Sequence, residues 1–379
     1  MQQKWTKKEI DFAVSRRKEG WTILEIAREL KRSVRAVEKQ MYRQGVKLEP
    51  QPQTEQDFIN AEKRKLSQKA KDKVYKELLR EAAGTRLIID KLSELVPKIK
   101  YESREVVVDK SKTKDEEVMV VELSDLHIGR ITTNYNVAVF KERMGIMADR
   151  IVRMRDIFSQ NRNIRELHIF GLGDWVDGDA IYPGQPFEIG GSKMKQIFLW
   201  GMPVIGDFLK SLSPFFSEIH VHCVKGNHGR NSKFDAQEVN WDLILYEFLK
   251  SATQNVNNVK WDITWEWYKI VQIFKWKFLL IHGDQVKMWM NLPFYGLTQK
   301  GMRWQGSIKD SWDYLVTGHF HTPINFVWNN FEVISNGTFL SGDDWAQRTL
   351  GMSSEETQII FLVHPRKGVV NYNKIFFKR

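Results

Sequence analysis

The sequence predicts an α/β layered domain behind a small all-α one, and two observations carry that prediction. From residue 118 onward, short apolar runs rich in β-formers (118–123, 167–172, 219–224, 278–281 and 314–317) alternate with helical stretches at 140–159, 196–211 and 236–251. Strands alternating with helices, each strand closed by a polar motif, describe a sheet covered by helices with a site along one edge. Residues 5–46, in contrast, carry helix start and stop signals and no strand pattern.

In that N-terminal part, Thr6 followed by Glu9 and Thr22 followed by Glu25 are capping-box pairs, and Gly20 and Gly45 stand where helices end. They predict helices over 7–19, 23–30 and, capped by Ser33, 34–44. Ile10, Ala13, Trp21, Ile26, Ala27, Leu30, Val34, Val37 and Met41 have the spacing of a small helical core. The short Lys31-Arg32-Ser33 connection is that of a helix-turn-helix. Through Trp5, Gly20-Trp21-Thr22, Glu25-Ile26-Ala27 and Arg32-Ser33, residues 5–46 resemble the Myb-like and homeodomain-like helix-turn-helix families. There the third helix enters the DNA major groove. The resemblance therefore implies Lys31, Arg32, Arg35, Lys39 and Arg43 as cations for phosphates or guanine edges. A small bundle that docks protein is the alternative.

Charge supports a polyanionic partner. Residues 1–100 hold 25 Lys and Arg against 15 Asp and Glu, whereas residues 101–379 hold 33 against 32. Almost all of the net +11 thus sits in the first quarter of the chain. Residues 49–56, with two prolines, read as a polar linker. Residues 57–97 carry a narrow apolar stripe at helical spacing, first Phe58, Leu66, Ala70, Val74 and Leu78, then Leu87, Ile88, Leu92 and Leu95. They read as a charged helical spacer, with homodimerisation through 57–97 as a further option. Residues 111–117 read as a charged loop. The expected domains are 1–48, a helix-turn-helix; 49–116, a charged helical linker; and 117–379, the α/β part.

Five motifs close the five strand-like runs: Asp125-Leu126-His127, Gly173-Asp174-Trp175-Val176-Asp177, Gly226-Asn227-His228, His282-Gly283-Asp284 and Gly318-His319-Phe320-His321. Asp-x-His puts a carboxylate and an imidazole within reach of one ion. Gly-Asp supplies a second carboxylate from a tight turn, Asn227 a neutral carbonyl oxygen, and His282, His319 and His321 further imidazoles. Mixed oxygen and nitrogen donors suit Mn, Fe or Zn better than Mg or Ca. A carboxylate can bridge two such ions about 3.5–4 Å apart, and two-metal sites acidify a water and clamp developing oxyanions during attack on phosphorus.

Taken in order, the five motifs resemble those of the calcineurin-like metallophosphoesterase family, over residues 117–345. The resemblance implies two facing β-sheets flanked by helices, with metals on loops at the sheet ends. It implies Asp125, His127 and His321 around one divalent ion, Asn227, His282 and His319 around a second, and Asp174 bridging them. Manganese is the expected metal, with iron or zinc as alternatives. His228 would donate a proton to the departing oxygen, and Asp177 would orient a ligand histidine. Residues 335–338, Ser-Asn-Gly-Thr, resemble the family's closing loop. Many members carry an acid after Asn-His; here Gly229-Arg230 follows, which offers Arg230 to substrate phosphate.

The remaining histidines divide differently. His220-Val221-His222 and His168 lie in strand bodies rather than in loops and read as structural, and His364 has no partner in sequence. The stretch between His282 and His319 reads as a loop in which Lys287, Trp289, Phe294, Tyr295, Lys300, Arg303 and Trp304 mix rings with cations. Trp289, Arg303 and Trp304, with Arg230, are candidate substrate contacts through base stacking and phosphate charge; a packed Trp-rich lid is the alternative. Residues 180–191, with Tyr182 and Phe187, follow a metal loop and are placed to shape its entrance.

No run of 18 apolar residues appears, so no membrane helix is expected. The N-terminus lacks a signal-peptide core, and the lone Cys223 excludes an internal disulfide, so a reducing cytoplasm is expected. The function these features predict is a two-metal phosphodiesterase, a DNA nuclease brought to DNA by its helix-turn-helix and resembling the DNA repair nucleases of the family. Such fusions also look like phage or prophage proteins. A phosphomonoesterase or nucleotide hydrolase is the second reading, and a DNA-binding protein with a structural phosphoesterase domain the third.

Overall fold

The computed structural model describes residues 5–46, 76, 86–87, 89–94, 96–99, 116–179, 181–182, 184–231, 239–290, 292–342 and 355–377. The expected linker at 49–56, most of 57–97 with its dimerisation option, and residues 111–115 lie outside them. Two compact units emerge, Met1–Glu77 and Leu78–Arg379.

In the first unit, α1 (Lys7–Lys18), α2 (Ile23–Glu29) and α3 (Val34–Arg43) follow the caps that start them. Thr6 and Thr22 each accept the backbone N–H of Glu9 or Glu25, and those glutamates accept the cap N–H in return. Ser33 caps α3 through the Ala36 N–H. Ala13, Ile23, Ile26, Ala27, Val37 and Met41 form the buried core. Val34 was expected among them but stays 38% exposed, outside the cluster that Val37 and Met41 of the same helix join. Lys31, at φ 50°, makes the tight turn between α2 and α3.

The second unit holds two sheets. One has the order β11-β10-β1-β2-β3-β4, built from β1 (Glu116–Leu123), β2 (Asn163–Gly171), β3 (Glu218–Cys223), β4 (Val259–Ile263), β10 (Thr357–His364) and β11 (Gly368–Phe376). The other has the order β5-β6-β7-β9-β8, built from β5 (Tyr268–Ile273), β6 (Trp276–Ile281), β7 (Tyr314–Thr317), β8 (Ile324–Trp328) and β9 (Phe331–Ser335). β1 to β4 run parallel, as do β6, β7 and β9. Glu116 and Glu117 therefore begin a strand and are not loop residues.

Burial on both faces explains the mostly apolar runs. On β1, Val118 and Val120 face the inter-sheet core with Phe170, Phe278, Leu280, Val316 and Phe361. Met119, Val121 and Leu123 face outward into a second core with α4 (Val137–Ser159), α5 (Met202–Leu212) and α6 (Trp241–Ala252). Beyond the other sheet, α7 (Phe294–Ser307) packs Leu297 and Trp304 on Leu279, Ile281, Leu315 and Val333. The architecture is a two-sheet sandwich flanked by helices.

Three further expectations need correction. The stretch between His282 and His319 is not all loop, since α7 occupies 14 residues of it. Its three glycines, Gly296, Gly301 and Gly306, dilute helix propensity, while buried Leu297, Gly301 and Trp304 keep helical spacing. The helix expected at 196–211 opens as a π-helix over Lys195–Gly201 before α5. Residues 86–87 and 89–94 are helical, but the expected stripe residues Leu87 and Leu92 are 56% and 47% exposed, whereas Ile89 and Val96 join the outer core. The docking surface, not the leucine count, selects the inward face.

Candidate metal centre

The five motifs occupy the loops that leave β1, β2, β3, β6 and β7 at their C-terminal ends, where parallel strands of both sheets end together. Their backbones are strained. Asp125 (φ 54°), His127 (44°), Asp174 (53°), His319 (68°) and His321 (53°) all sit in the left-handed region. Five of the ten non-glycine residues with positive φ among the described residues are thus these side chains. Each costs about 1–3 kcal/mol and persists only where the surroundings over-determine it. Here the loops lean on one another: a Cβ on Gly173 would fall 2.5 Å from the Gly226 nitrogen.

The side chains form two groups whose acceptor atoms converge. In the first, Asp125, His127 and His321 bring one donor atom each within 4.8 Å of the others. His127 Nδ1 lies 2.8 Å from Asp177 Oδ1, and a carboxylate accepts, so the ring proton is on Nδ1. Its Nε2 lone pair then faces His321 Nε2 at 3.3 Å, which in turn lies 3.2 Å from Asp125 Oδ1. In the second group, His282 donates Nδ1–H to the Leu172 carbonyl at 2.7 Å. Its Nε2 lies 3.0 Å from Asp174 Oδ2, 3.0 Å from Asn227 Oδ1 and 3.2 Å from His319 Nδ1. In each group ring nitrogens and carboxylate oxygens converge on one place, where a positive charge, as a proton or as a cation, balances them. Nitrogen and oxygen donors fixed by outer hydrogen bonds are the chemistry of a divalent transition-metal site. The donor set fits two divalent ions.

Electrostatics agree. Burial alone would lower the His282 pKa, yet Asp174, by charge and hydrogen bond, with Asp125, pushes it up to about 10. Burial and the neighbouring His282 charge bring His319 down to about 3. Asp174 stays well below the usual carboxylate range; burial opposes this, but His282 and His228 outweigh it. The field that gathers a positive charge among these groups favours a metal cation for the same reason. His228 packs against the first group, its ring 4.6 Å from that of His127. Its Nδ1 is 2.7 Å from Asp177 Oδ1, so buried Asp177 holds both rings. Burial opposes protonation of His228, but Asp174 and Asp177 push its pKa up to about 9.

The expected substrate contacts separate. Arg230 pairs with Asp284, the acid of the fourth motif. Trp289 is 68% exposed, and Arg303 is also exposed. Trp304 is 8% exposed and packs on Trp267 within the outer core, so its ring is not offered to a base. On the first unit, Lys31, Arg35, Lys39 and Arg43 are exposed. Arg32 pairs with Glu9 and lies over the Trp5 ring, its side chain 13% exposed, so it braces the bundle. Asn336 of the closing loop is buried and bonds Ser124 and Gln358.

Residues 119–344 match the family model described as calcineurin-like phosphoesterase. The chain belongs to that family. No curated protein matches the sequence. Solved structures with similarity include zinc-bound Vps29 from Entamoeba histolytica (14% identity, 69% of this chain and 99% of that one, TM-score 0.31). A predicted phosphoesterase from Streptococcus pneumoniae TIGR4 (11%, 68% and 97%, TM-score 0.28) and a hypothetical protein from Pyrococcus horikoshii (10%, 69% and 89%, TM-score 0.37) are others.

Within this calcineurin-like centre, several supporting residues escape sequence reading. Asp242, fully buried on α6, accepts from the backbone N–H groups of Asp174 (2.9 Å), Val176 (2.8 Å) and Gly226 (2.9 Å), joining two metal loops. Gln196, in the π-helix, accepts from the Asp177 N–H at 3.0 Å; such helices recur at functional sites. Gln185 donates to the Asp177 carbonyl at 2.6 Å and lies 3.3 Å from His228 Nδ1. Arg130 joins Asp177, Tyr182 and Glu188. None of these belongs to a short motif; Asn240 and Asp242 signal no more than a helix cap.

Proposed function

We propose that the chain is a two-metal-dependent phosphodiesterase that cleaves DNA, brought to its substrate by the three-helix unit acting as a helix-turn-helix. This places it beside the DNA repair nucleases of its family, with domains at 1–48, 49–116 and 117–379. The observation that carries the reading is a cationic stripe in the same chain as a phosphoesterase fold. Lys31, Arg35, Lys39 and Arg43 recur every fourth residue along α3 and its lead-in, all exposed, with Tyr42 83% exposed beside them.

In this reading Asp125, His127 and His321 would hold one ion, and Asn227, His282 and His319 the other, with Asp174 the carboxylate that would serve both and manganese the expected metal. Divalent cations there supply Lewis acidity toward the phosphate ester. The chain's own groups do the rest. Asp177 fixes His127 and His228 by their Nδ1 atoms, which turns each Nε2 away from it. His228 passes a proton from Nε2 to the departing oxygen. Gln185 and the Arg130–Tyr182–Glu188 group hold that ring and carboxylate in place. Exposed Trp289, Phe187 and Arg303 offer rings to bases and charge to the backbone.

The test incubates the protein with supercoiled plasmid and with linear single- and double-stranded DNA, under manganese, magnesium or EDTA. Manganese-dependent cleavage that Asp174→Ala abolishes is the expected result. Hydrolysis of a chromogenic phosphodiester without cleavage of any DNA removes DNA as the substrate and retains the metal chemistry. Loss of both overturns the enzymatic reading.

A further inference from the structure

A second constellation lies in the strand bodies, apart from the loops that carry the calcineurin-like centre. Glu166 and His168 on β2, His220 and His222 on β3 and Asp262 on β4 stand on neighbouring strands in register: His168 pairs with His220, and His222 with Asp262. The three imidazoles stack, with ring centroids 4.6 Å apart for His168 and His220 and 5.1 Å for His168 and His222. His168 and His222 are each 7% exposed, while Glu166 and Glu218 are more than a third exposed and leave the cluster open to solvent.

Hydrogen bonding fixes where the lone pairs point. Asp262 Oδ2 lies 3.0 Å from His222 Nδ1 and accepts, so His222 carries its proton there and its Nε2 is an acceptor. His168 Nδ1, 3.1 Å from that Nε2, must donate. The lone pair of His168 is thereby forced onto Nε2, which faces Glu166 Oε2 at 3.7 Å. Two acceptors thus face each other at the solvent-facing edge of the cluster. His220 donates Nε2–H to Glu218 at 2.9 Å, which leaves a lone pair on its Nδ1. Lys260 and Lys269 answer Glu218 and Asp262, at 2.7 and 2.6 Å.

We propose that Glu166, His168 and His220 form a further divalent transition-metal site, of the zinc or cobalt class, in which His222 and Asp262 orient His168. One donor atom from each of the three lies within 4.8 Å of the others. Donors on a tetrahedral ion with bonds of about 2.0 Å lie roughly 3.3 Å apart, so closure asks for small side-chain shifts. The carboxylate–histidine–histidine relay is the outer shell that metal-binding imidazoles use. A bound ion would tie β2 to β3, with solvent completing its coordination. The site does not depend on the DNA reading.

The test strips the full chain with chelator and titrates it with Co2+, following bound metal and visible absorption. Asp125→Ala with Asp174→Ala supplies a background lacking a carboxylate in each loop cluster. One cobalt ion and its absorption should remain in that background and disappear when Glu166→Gln and His220→Ala are added. In the otherwise wild-type chain the same two changes should lower the count by one ion, a result that stands even if the background variant fails to fold. His222→Ala should weaken affinity about 10-fold or more. Wild-type stoichiometry indifferent to Glu166→Gln and His220→Ala overturns the proposal, as does a correctly folded background variant that retains no cobalt.

Discussion

Asp242 offers no ligand, yet three backbone N–H groups of two metal loops end on its carboxylate. Asp242→Asn replaces one accepting oxygen with a donor and leaves a buried N–H unmatched. That costs about 1–3 kcal/mol, read as a lower unfolding midpoint, and a Mn2+ affinity about 10–100-fold weaker, read by titration. His228→Ala tests a different role. It should leave metal content unchanged and slow hydrolysis of a plain alkyl phosphodiester by about 10²–10⁴-fold, with a smaller effect on a nitrophenyl ester, whose leaving group needs no proton. Unchanged turnover on the plain diester would remove His228 as proton donor. At this scale the Asp, Asn and His loop residues are legible because their side-chain types recur in short motifs. Asp242, Gln185 and Gln196 are not, because a lone polar residue gains its role only from what the fold brings beside it. Composition equally concealed that Arg32 is held by Glu9 and Trp5, and that Trp304 is buried.

Among the elements, α3 presents Arg35, Lys39 and Arg43 on one exposed stripe, against a buried face of Val37 and Met41. Arg35→Glu with Lys39→Glu should weaken binding to duplex DNA and flatten the dependence of log affinity on log salt by about 0.9 for each phosphate no longer neutralised. Fluorescence anisotropy at several salt concentrations measures both; an unchanged slope would take α3 off the DNA. Helix starts were legible here because Thr6, Thr22 and Ser33 bond locally, within three residues. The strands closing in the five motifs were legible because burial on both faces leaves them mostly apolar, with Glu122, His168, His220 and His222 as the interruptions. α7 was not, since its glycines hide a helix that Leu279, Leu315 and Val333 hold by packing. The inward face of the helix around Ile89 was also set by its docking partner rather than by its own pattern.

Across the whole molecule, charge and chemistry are segregated: the excess positive charge lies in the first hundred residues, and the converging acceptors lie at the strand ends of a nearly neutral remainder. The division of strands between two sheets was not visible in periodicity, because a strand buried on both faces gives the same run whichever sheet it joins; it entered through the family resemblance. The placement of the five strand ends has a temporal consequence. Asp125, Asp174 and Asn227 leave one sheet, whereas His282, His319 and His321 leave the other and come later in the chain. In order of synthesis the carboxylates therefore precede the last imidazoles by some 150 to 200 residues. Neither ligand group is complete without them, since each draws a histidine from the second sheet. Both ligand groups are therefore complete only once the chain through His321 is present and the two sheets have met.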